Sequence, residues 1–509
     1  MQAFPILSLA IWAPILFGAF LLRAGSDRHP RRTRLIALAG ALAGLGAVVP
    51  LVAGFDAHSA AMQFVEHRDW LAAFGAGWRL GIDGASLWLV VLTAFTTLVI
   101  VVASWESVTV RVAQYLASFL ILSGLMVGVF AAQDGLLFFI FFEATLIPLY
   151  LLIGTWGREN RVHAAVKFFF ISLAGSLLLL MAMLYLYAKS HTFDMSVWRT
   201  LQLGFAPQLL VFLGFFAAFA VKVPMWPVHT WLRDVYSDGP TGAALMLGML
   251  KLGGYGFLRF ALPITPDASH FFAPAVIALS LFAIVYASLL ALAQTDLGKL
   301  LAYSTVAHMG LVTLGLFLFN RIGVEGAIVQ LVSYGFVAGA MLLCVSVLSD
   351  RTNTRAIAEY GGVANVMPRF ATFALLFSMA NVGLPGTSGF VGEFMIIMGA
   401  IRFNFWIGAL AALTLILSAS YTLWMLKRVV FGKVASPRIA QLVDLNRREI
   451  VVFASLALIV LMVGVDPKPF TDAIDPTVAR LIDEAGQSKV PDAEGATPAR
   501  SSFVASVRD

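Results

Sequence analysis

The chain has 509 residues, 60% of them hydrophobic and only 12% charged, with a mean hydropathy of +0.88 and a net charge of +6. Such a composition excludes an ordinary soluble domain and defines a polytopic membrane protein. Its Lys and Arg residues lie in loops between apolar segments, so the positive-inside rule accounts for the basic balance and nucleic-acid binding is not invoked.

The apolar segments are roughly 20 residues long, as membrane helices must be, and they lack the short alternating pattern of barrel strands. Three predicted helices come first, at about 3–22, 35–54 and 84–104. The first lacks a basic leader and contains Pro5 and Pro14, so it is read as a retained span rather than a signal peptide. Five more follow at about 114–132, 135–154, 167–188, 208–230 and 241–262, and a further five at about 273–294, 300–319, 324–348, 368–400 and 404–427. A fourteenth lies at about 450–465, and the tail after Phe470, which includes the polar stretch Ser488–Pro498, is expected to be loose.

Two segments carry prolines in mid-membrane, at Val221-Lys222-Val223-Pro224-Met225-Trp226-Pro227 and at Gly383-Leu384-Pro385-Gly386. Proline frees carbonyls that lipid cannot satisfy, so such breaks persist where they are packed in protein or line a wet cavity. As segments seven and twelve, they hold the fourth place in two blocks of five helices. An odd number of crossings per block inverts the second relative to the first, the arrangement of many transporters. The expected fold is therefore all-α, with about fourteen transmembrane helices, two inverted five-helix repeats (segments 4–8 and 9–13) and helices 7 and 12 broken. Its parts are accessory helices at 1–110, a first half-channel repeat at 111–265, a second at 270–430, a loop and last helix at 431–470 and a polar tail at 471–509.

The basic loops after odd-numbered segments, beginning with Arg23, Arg28, Arg31, Arg32 and Arg34, mark the cytoplasmic side. Both termini are then expected on the outer face. Cys344 is the only cysteine, which excludes an intrachain disulfide and an iron-sulfur cluster held by this chain alone. No nucleotide loop, zinc spacing, haem histidine pair or serine triad is present, so neither cofactor nor metal is assigned to this chain.

Intramembrane ionisable residues are costly and mark function by default. Glu143 stands alone in Leu136–Pro148; the competing reading is a structural ion pair. Lys222 precedes Pro224, and a buried lysine whose carboxylate partner approaches and withdraws can hold or release a proton. Lys251 falls among Gly248, Gly253, Gly254 and Gly256, where it is a candidate relay or a lysine bonded to exposed carbonyls. His308, with an ordinary pKa of about 6.5, suits proton passing at working pH, beside Tyr303, Ser304 and Thr305 as water holders. Glu393 follows the second break and is a candidate site of proton release. His229 lies near a boundary, open between an access role and a structural one. Lys299, Asp134, Glu106 and Arg259 are read as interfacial anchors or helix-end pairs.

The strings Gly81–Gly84, Phe142–Pro148, Lys222–Leu232, Lys251–Gly256 and Leu384–Phe394 resemble the M-chain family of proton-pumping NADH:quinone oxidoreductase, respiratory complex I, over roughly residues 80–470. The resemblance implies that Glu143 and Lys222 form a first-half pair, Lys251 and His308 a central relay and Glu393 a terminal site. It further implies a bacterial inner-membrane translocase subunit without redox chemistry of its own, packed beside two sister antiporter-like chains. NAD, FMN, iron-sulfur clusters and quinone would belong to partner subunits. A carboxylate at Glu393, where sister chains carry lysine, and the absence of an expected amphipathic lateral helix after segment fourteen favour the M chain. Two departures stand out. Arg233–Pro240 stands where the family usually has a proline and then a histidine-valine-glutamate-alanine-proline turn, and Tyr334 occupies a place where histidine is frequent. A phenol with an ordinary pKa of about 10 can hydrogen-bond and line a water wire but cannot serve as a protonated relay near neutrality. A cation/proton antiporter or a hydrogenase-linked subunit of the same superfamily is the competing reading, and a quinone enzyme is disfavoured.

Overall fold

The computed structural model describes residues 4–249 and 251–491. Accessory helices α1 (Ile6–Ala24), α2 (Pro30–Ala53) and α3 (Gly84–Ala103) precede a first block of α4 (Val112–Ala131), α5 (Gly135–Ala144), α6 (Leu146–Trp156), α7 (Arg161–Ser190), the short α8 (Met195–Thr200), α9 (Phe205–Lys222), α10 (Thr230–Asp238), α11 (Thr241–Met249), α12 (Leu252–Gly256) and α13 (Leu262–Ile264). The second block is α14 (Pro266–Leu292), α15 (Leu297–Leu316), α16 (Arg321–Thr352), α17 (Pro368–Val382), α18 (Ser388–Phe403) and α19 (Phe405–Val429). The short α20 (Pro437–Ala440), α21 (Arg447–Val465) and α22 (Lys468–Gly486) close the chain.

Among the described residues twelve helices are long and apolar enough to cross a membrane on composition alone. The more polar α15 and the α17–α18 pair, two halves each too short to qualify, complete the expected fourteen crossings. Helices 7 and 12 are broken as the prolines require, between α9 and α10 and between α17 and α18. Acidic and amide side chains set where helices begin. Asp83, Asp134 and Asp296 accept from first-turn amides of α3, α5 and α15, and Asn320 and Asn446 do the same for α16 and α21.

The structure refines the sequence reading in one place and corrects it in three. Segment five crosses as one span, Gly135–Trp156, with a local irregularity at Thr145 between α5 and α6, where the hydroxyl donates to the Phe142 carbonyl at 2.7 Å while the backbone stays right-handed helical (φ −63°, ψ −25°). Segment eight is interrupted at Lys251 (φ −111°, ψ 58°), and Phe257–Ala261 is π-helical. The 55–83 loop contains an antiparallel hairpin of β1 (Gln63–Leu71) and β2 (Ala76–Ile82). Glu66 on β1 accepts from the Leu7 amide at 2.7 Å, so the hairpin caps α1.

The third correction concerns the tail, whose first part is not loose but the amphipathic helix α22. One stripe of it, Phe470, Ala473, Ile474, Val478, Leu481 and Ala485, is buried, the spacing of a helix face turned to a core. Phe470 stacks on Trp88 of α3 at 4.0 Å, and the absent Cβ of Gly84 would lie 1.7 Å from the Ala473 carbonyl, so only glycine permits this approach. Beyond α22, Lys489 donates to the Pro263 carbonyl at 2.5 Å. Residues 492–509, including the end of the polar stretch, lie outside the described residues. An amphipathic helix thus does follow segment fourteen, folded back onto its own chain.

Candidate functional site

The site is built on helix interruptions. Past Lys222, Pro224 and Pro227 remove two amide donors, the Met225 amide reaches back to the Ala220 carbonyl at 2.8 Å, and the Trp231 indole donates to the freed Val221 carbonyl at 3.0 Å. Protein groups thus replace the helical bonds that lipid could not. The second break turns on Gly383 and Gly386, at φ +82° and +89°, a left-handed backbone that favours glycine. The Leu384 amide bonds the Met379 carbonyl at 3.0 Å, and the Thr387 hydroxyl bonds the Leu384 carbonyl at 2.7 Å. Pro224 and Pro385 therefore sit where the sequence reading put them.

Glu143 is the penultimate residue of α5, two residues before the irregularity at Thr145, and is half-buried. Its Oε1 has no hydrogen-bond partner, while Ser176 of α7 stands beside the carboxyl. Lys222, at the end of α9, places its ammonium 5.1 Å from the Phe142 ring centroid and 5.4 Å from that of Phe168. Glu143 and Lys222 act on one another electrostatically, yet no ion pair within 4.0 Å joins them.

From Lys222 the line continues inward. A cavity of about 20 Å³, enough for a single water, is lined by Lys222, Pro224, Trp231, Lys251 and Thr305. Lys251, at the start of α12, is buried, and its ammonium lies 5.4 Å from the Tyr334 ring centroid. Tyr334 in turn stacks on His308, centroids 4.4 Å apart at 30°. Lys251 and His308 therefore do not touch; the tyrosine stands between them.

His308 lies in mid-α15, fully buried. Its Nδ1 is 2.9 Å from Glu393 Oε1, a short contact that is off the line required for a hydrogen bond. Its Nε2 is 3.2 Å from the Tyr421 hydroxyl. Gln330 donates to Glu393 Oε1 at 3.1 Å, and Glu393 Oε2 faces the bare Cα of Gly383 with no protein partner. A Cβ on Gly383 would stand 2.7 Å from that oxygen. Ser304 connects the Tyr421 hydroxyl at 2.9 Å with that of Tyr334 at 3.2 Å. Asn381, at the break, donates to Thr422 at 2.9 Å.

The structure thus brings together Lys222 with Lys251, and His308 with Tyr334 and Glu393. The sequence reading had separated His308 from Glu393, as relay and terminal site. It missed Gln330, Asn381 and Tyr421, although an amide inside an apolar helix was a visible signal. His229 is buried beside Tyr286 and Tyr303, ring centroids at 6.3 and 6.1 Å, and lies apart from the main line. Near it, Lys167 pairs with Asp234 at 2.6 Å and Arg233 with Asp234 at 2.8 Å, so the divergent Arg233–Asp234 stretch forms an ionic knot. Arg259 and Asp134 do serve helix ends: Arg259 pairs with the α3 cap Asp83 at 2.9 Å, and Asp134 caps α5. Glu106 pairs with Arg448 at 3.0 Å.

A file of intramembrane charges, three of the five beside an interrupted helix, is the arrangement of an antiporter-like polytopic membrane protein. Residues 132–418 match the family described as NADH:quinone oxidoreductase/Mrp antiporter, transmembrane. The NADH-quinone oxidoreductase subunit M of Rhodobacter capsulatus is 45% identical over 94% of this chain and 96% of its own. The NADH-ubiquinone oxidoreductase chain 4 of Arabidopsis thaliana is 42% identical over 94% and 97%. Among solved structures, a chain of respiratory complex I from Thermus thermophilus superposes with a TM-score of 0.88 at 32% identity, covering 94% of this chain and all of that one. A chain of the Mrp complex from Dietzia shares the fold, with a TM-score of 0.83 at 20% identity over 95% and 98%. The chain belongs to the NADH-quinone oxidoreductase subunit M family.

Proposed function

We propose that this chain is a proton-translocating membrane-arm subunit of an NADH:quinone oxidoreductase. In that role protons move outward from the cytoplasm through Glu143, Lys222, Lys251, His308 and Glu393, driven by quinone reduction elsewhere in the complex. The supporting observation is the pairing of charge with helix interruption: Lys222, Lys251 and Glu393 each lie at or within about two turns of a break, and Glu143 acts electrostatically on Lys222. Breaks give charges local carbonyl and water partners, so a proton can leave one group without stranding an unsolvated charge. Lys222 and Lys251 share a water-sized cavity, and Tyr334 with Ser304 and Tyr421 bridges Lys251 to the His308–Glu393 pair.

The arginine-rich loops are the cytoplasmic ones, both termini face outward, and the membrane is the bacterial inner membrane. The sister antiporter-like chains are the neighbours, and NAD, FMN, iron-sulfur clusters and quinone belong to other subunits. Moving one charge against 100 mV costs about 2.3 kcal/mol, which this file of groups divides into short steps.

The test is Glu143→Gln in the native membrane, following deamino-NADH:quinone turnover and vesicle acidification beside an NADH:ferricyanide control. Loss of turnover and acidification with ferricyanide activity kept supports the proposal. Unchanged pumping sinks it and favours cation/proton antiport.

A further inference from the structure

One cavity lies away from the charge file. It is a cleft of about 610 Å³ on the arginine-rich face, where the ends of α3, α16 and α21 meet the loop between α10 and α11. Toward the membrane its wall is apolar, with Ile100, Ala103, Leu343, Val347, Val452 and Phe453. Toward the loops it carries four guanidinium groups, Arg158, Arg351, Arg355 and Arg448, against three carboxylates, Glu106, Asp350 and Glu449.

The protein uses these charges unevenly. Arg351 is satisfied by Glu449 at 2.7 Å and by the Val443 and Val347 carbonyls. Arg448 reaches Glu106 through one nitrogen, but its Nε and the other terminal nitrogen are buried without a partner. Arg355 is 6% exposed; one terminal nitrogen holds the Tyr236 and Ser237 carbonyls while its Nε has no partner. The Arg158 side chain makes no hydrogen bond or ion pair among the described residues, and Asp350 is bonded only by Ser346, at 3.3 Å. Unsatisfied buried N–H groups are costly, and guanidinium forks match phosphate oxygens.

We propose that this cleft binds an anionic phospholipid, with its phosphodiester on Arg158, Arg355 and Arg448 and an acyl chain along the apolar wall. The single excess positive charge of the lining matches one phosphodiester. A headgroup bearing an ammonium, as in phosphatidylethanolamine, would meet the arginines with like charge. Basic pockets between helices at a cytoplasmic face suit such lipids.

The experiment uses the full chain purified with the subunits that accompany it and reconstituted in vesicles of equal phosphatidylglycerol and phosphatidylethanolamine. Each lipid in turn carries a photoactivatable group near its headgroup, and labelled peptides are mapped. We expect phosphatidylglycerol to label the segments around residues 100–110, 343–355 and 446–453 well above phosphatidylethanolamine. Arg158→Gln, which removes no hydrogen bond or ion pair of the described residues, should reduce that labelling about fivefold, as should Arg448→Gln. Equal labelling by the two lipids, labelling insensitive to both variants, cross-links to a neighbouring subunit in place of lipid, or loss of labelling in saturating inorganic phosphate would each overturn the proposal. The last outcome would assign the cleft to free phosphate.

Discussion

His308 and Glu393 meet across α15 and α18 with Nδ1 and Oε1 2.9 Å apart, both essentially excluded from solvent. Two groups that act as one proton-holding unit should show non-additive losses. Glu393→Gln and His308→Gln are each expected to lower quinone-coupled acidification by about tenfold or more, given that a well-placed acid–base group contributes roughly 10²–10⁴. The double variant should be no worse than the poorer single one. Additive losses, measured as initial acidification rates at matched complex content, would show that the two residues work separately.

Tyr334 offers its ring to Lys251 and His308 and its hydroxyl to Ser304. Tyr334→Phe keeps both ring contacts and deletes the hydroxyl bond, a change of about 0.5–1.5 kcal/mol. Proton translocation should fall several-fold while complex assembly and ferricyanide activity hold. Tyr334→Leu, which removes the ring as well, should fall further. Equal rates for wild type and Tyr334→Phe would exclude the hydroxyl from the path and leave the ring as packing.

Arg259 and Asp83 form an ion pair with both side chains below 5% exposure, tying the π-helical stretch to the cap of α3. Removing one partner of such a pair strands the other, at a cost of about 3–5 kcal/mol. Arg259→Leu should therefore lower the thermal midpoint of the purified complex, and Arg259→Leu with Asp83→Asn should recover much of the loss. A double variant as unstable as the single one would mean that Arg259 matters through its packing on Tyr255 instead.

Several features could be read without coordinates. Apolar length sets the number of crossings because lipid leaves the backbone no option but helix, and prolines set the breaks at Pro224 and Pro385 because ring nitrogens cannot donate. Glu143, Lys222, Lys251, His308 and Glu393 were legible as candidates for a related reason: an ionisable group in hydrocarbon is costly and so draws attention. The interruption at Lys251 was not legible, since it follows from glycines that also suit a close-packed continuous helix. The β1–β2 hairpin escaped notice because β1, with its sequence Gln63-Phe64-Val65-Glu66-His67-Arg68-Asp69-Trp70-Leu71, is mostly exposed and carries no regular alternation of apolar and polar residues.

The surrounding solvent, the helical class and the residues that carry charge into the membrane all follow from local transfer free energies and are written in the residue order. Which residues meet is a matter of packing. His308 comes to Glu393 because Gly383 has no side chain to hold the carboxylate away, and Lys251 meets Tyr334 because α11 gives way to α12 beside α16. Helix α22 docks because its stripe finds Trp88 and the bare Cα of Gly84. These relations join residues far apart in the chain through close packing, and packing complementarity has no counterpart in composition or period.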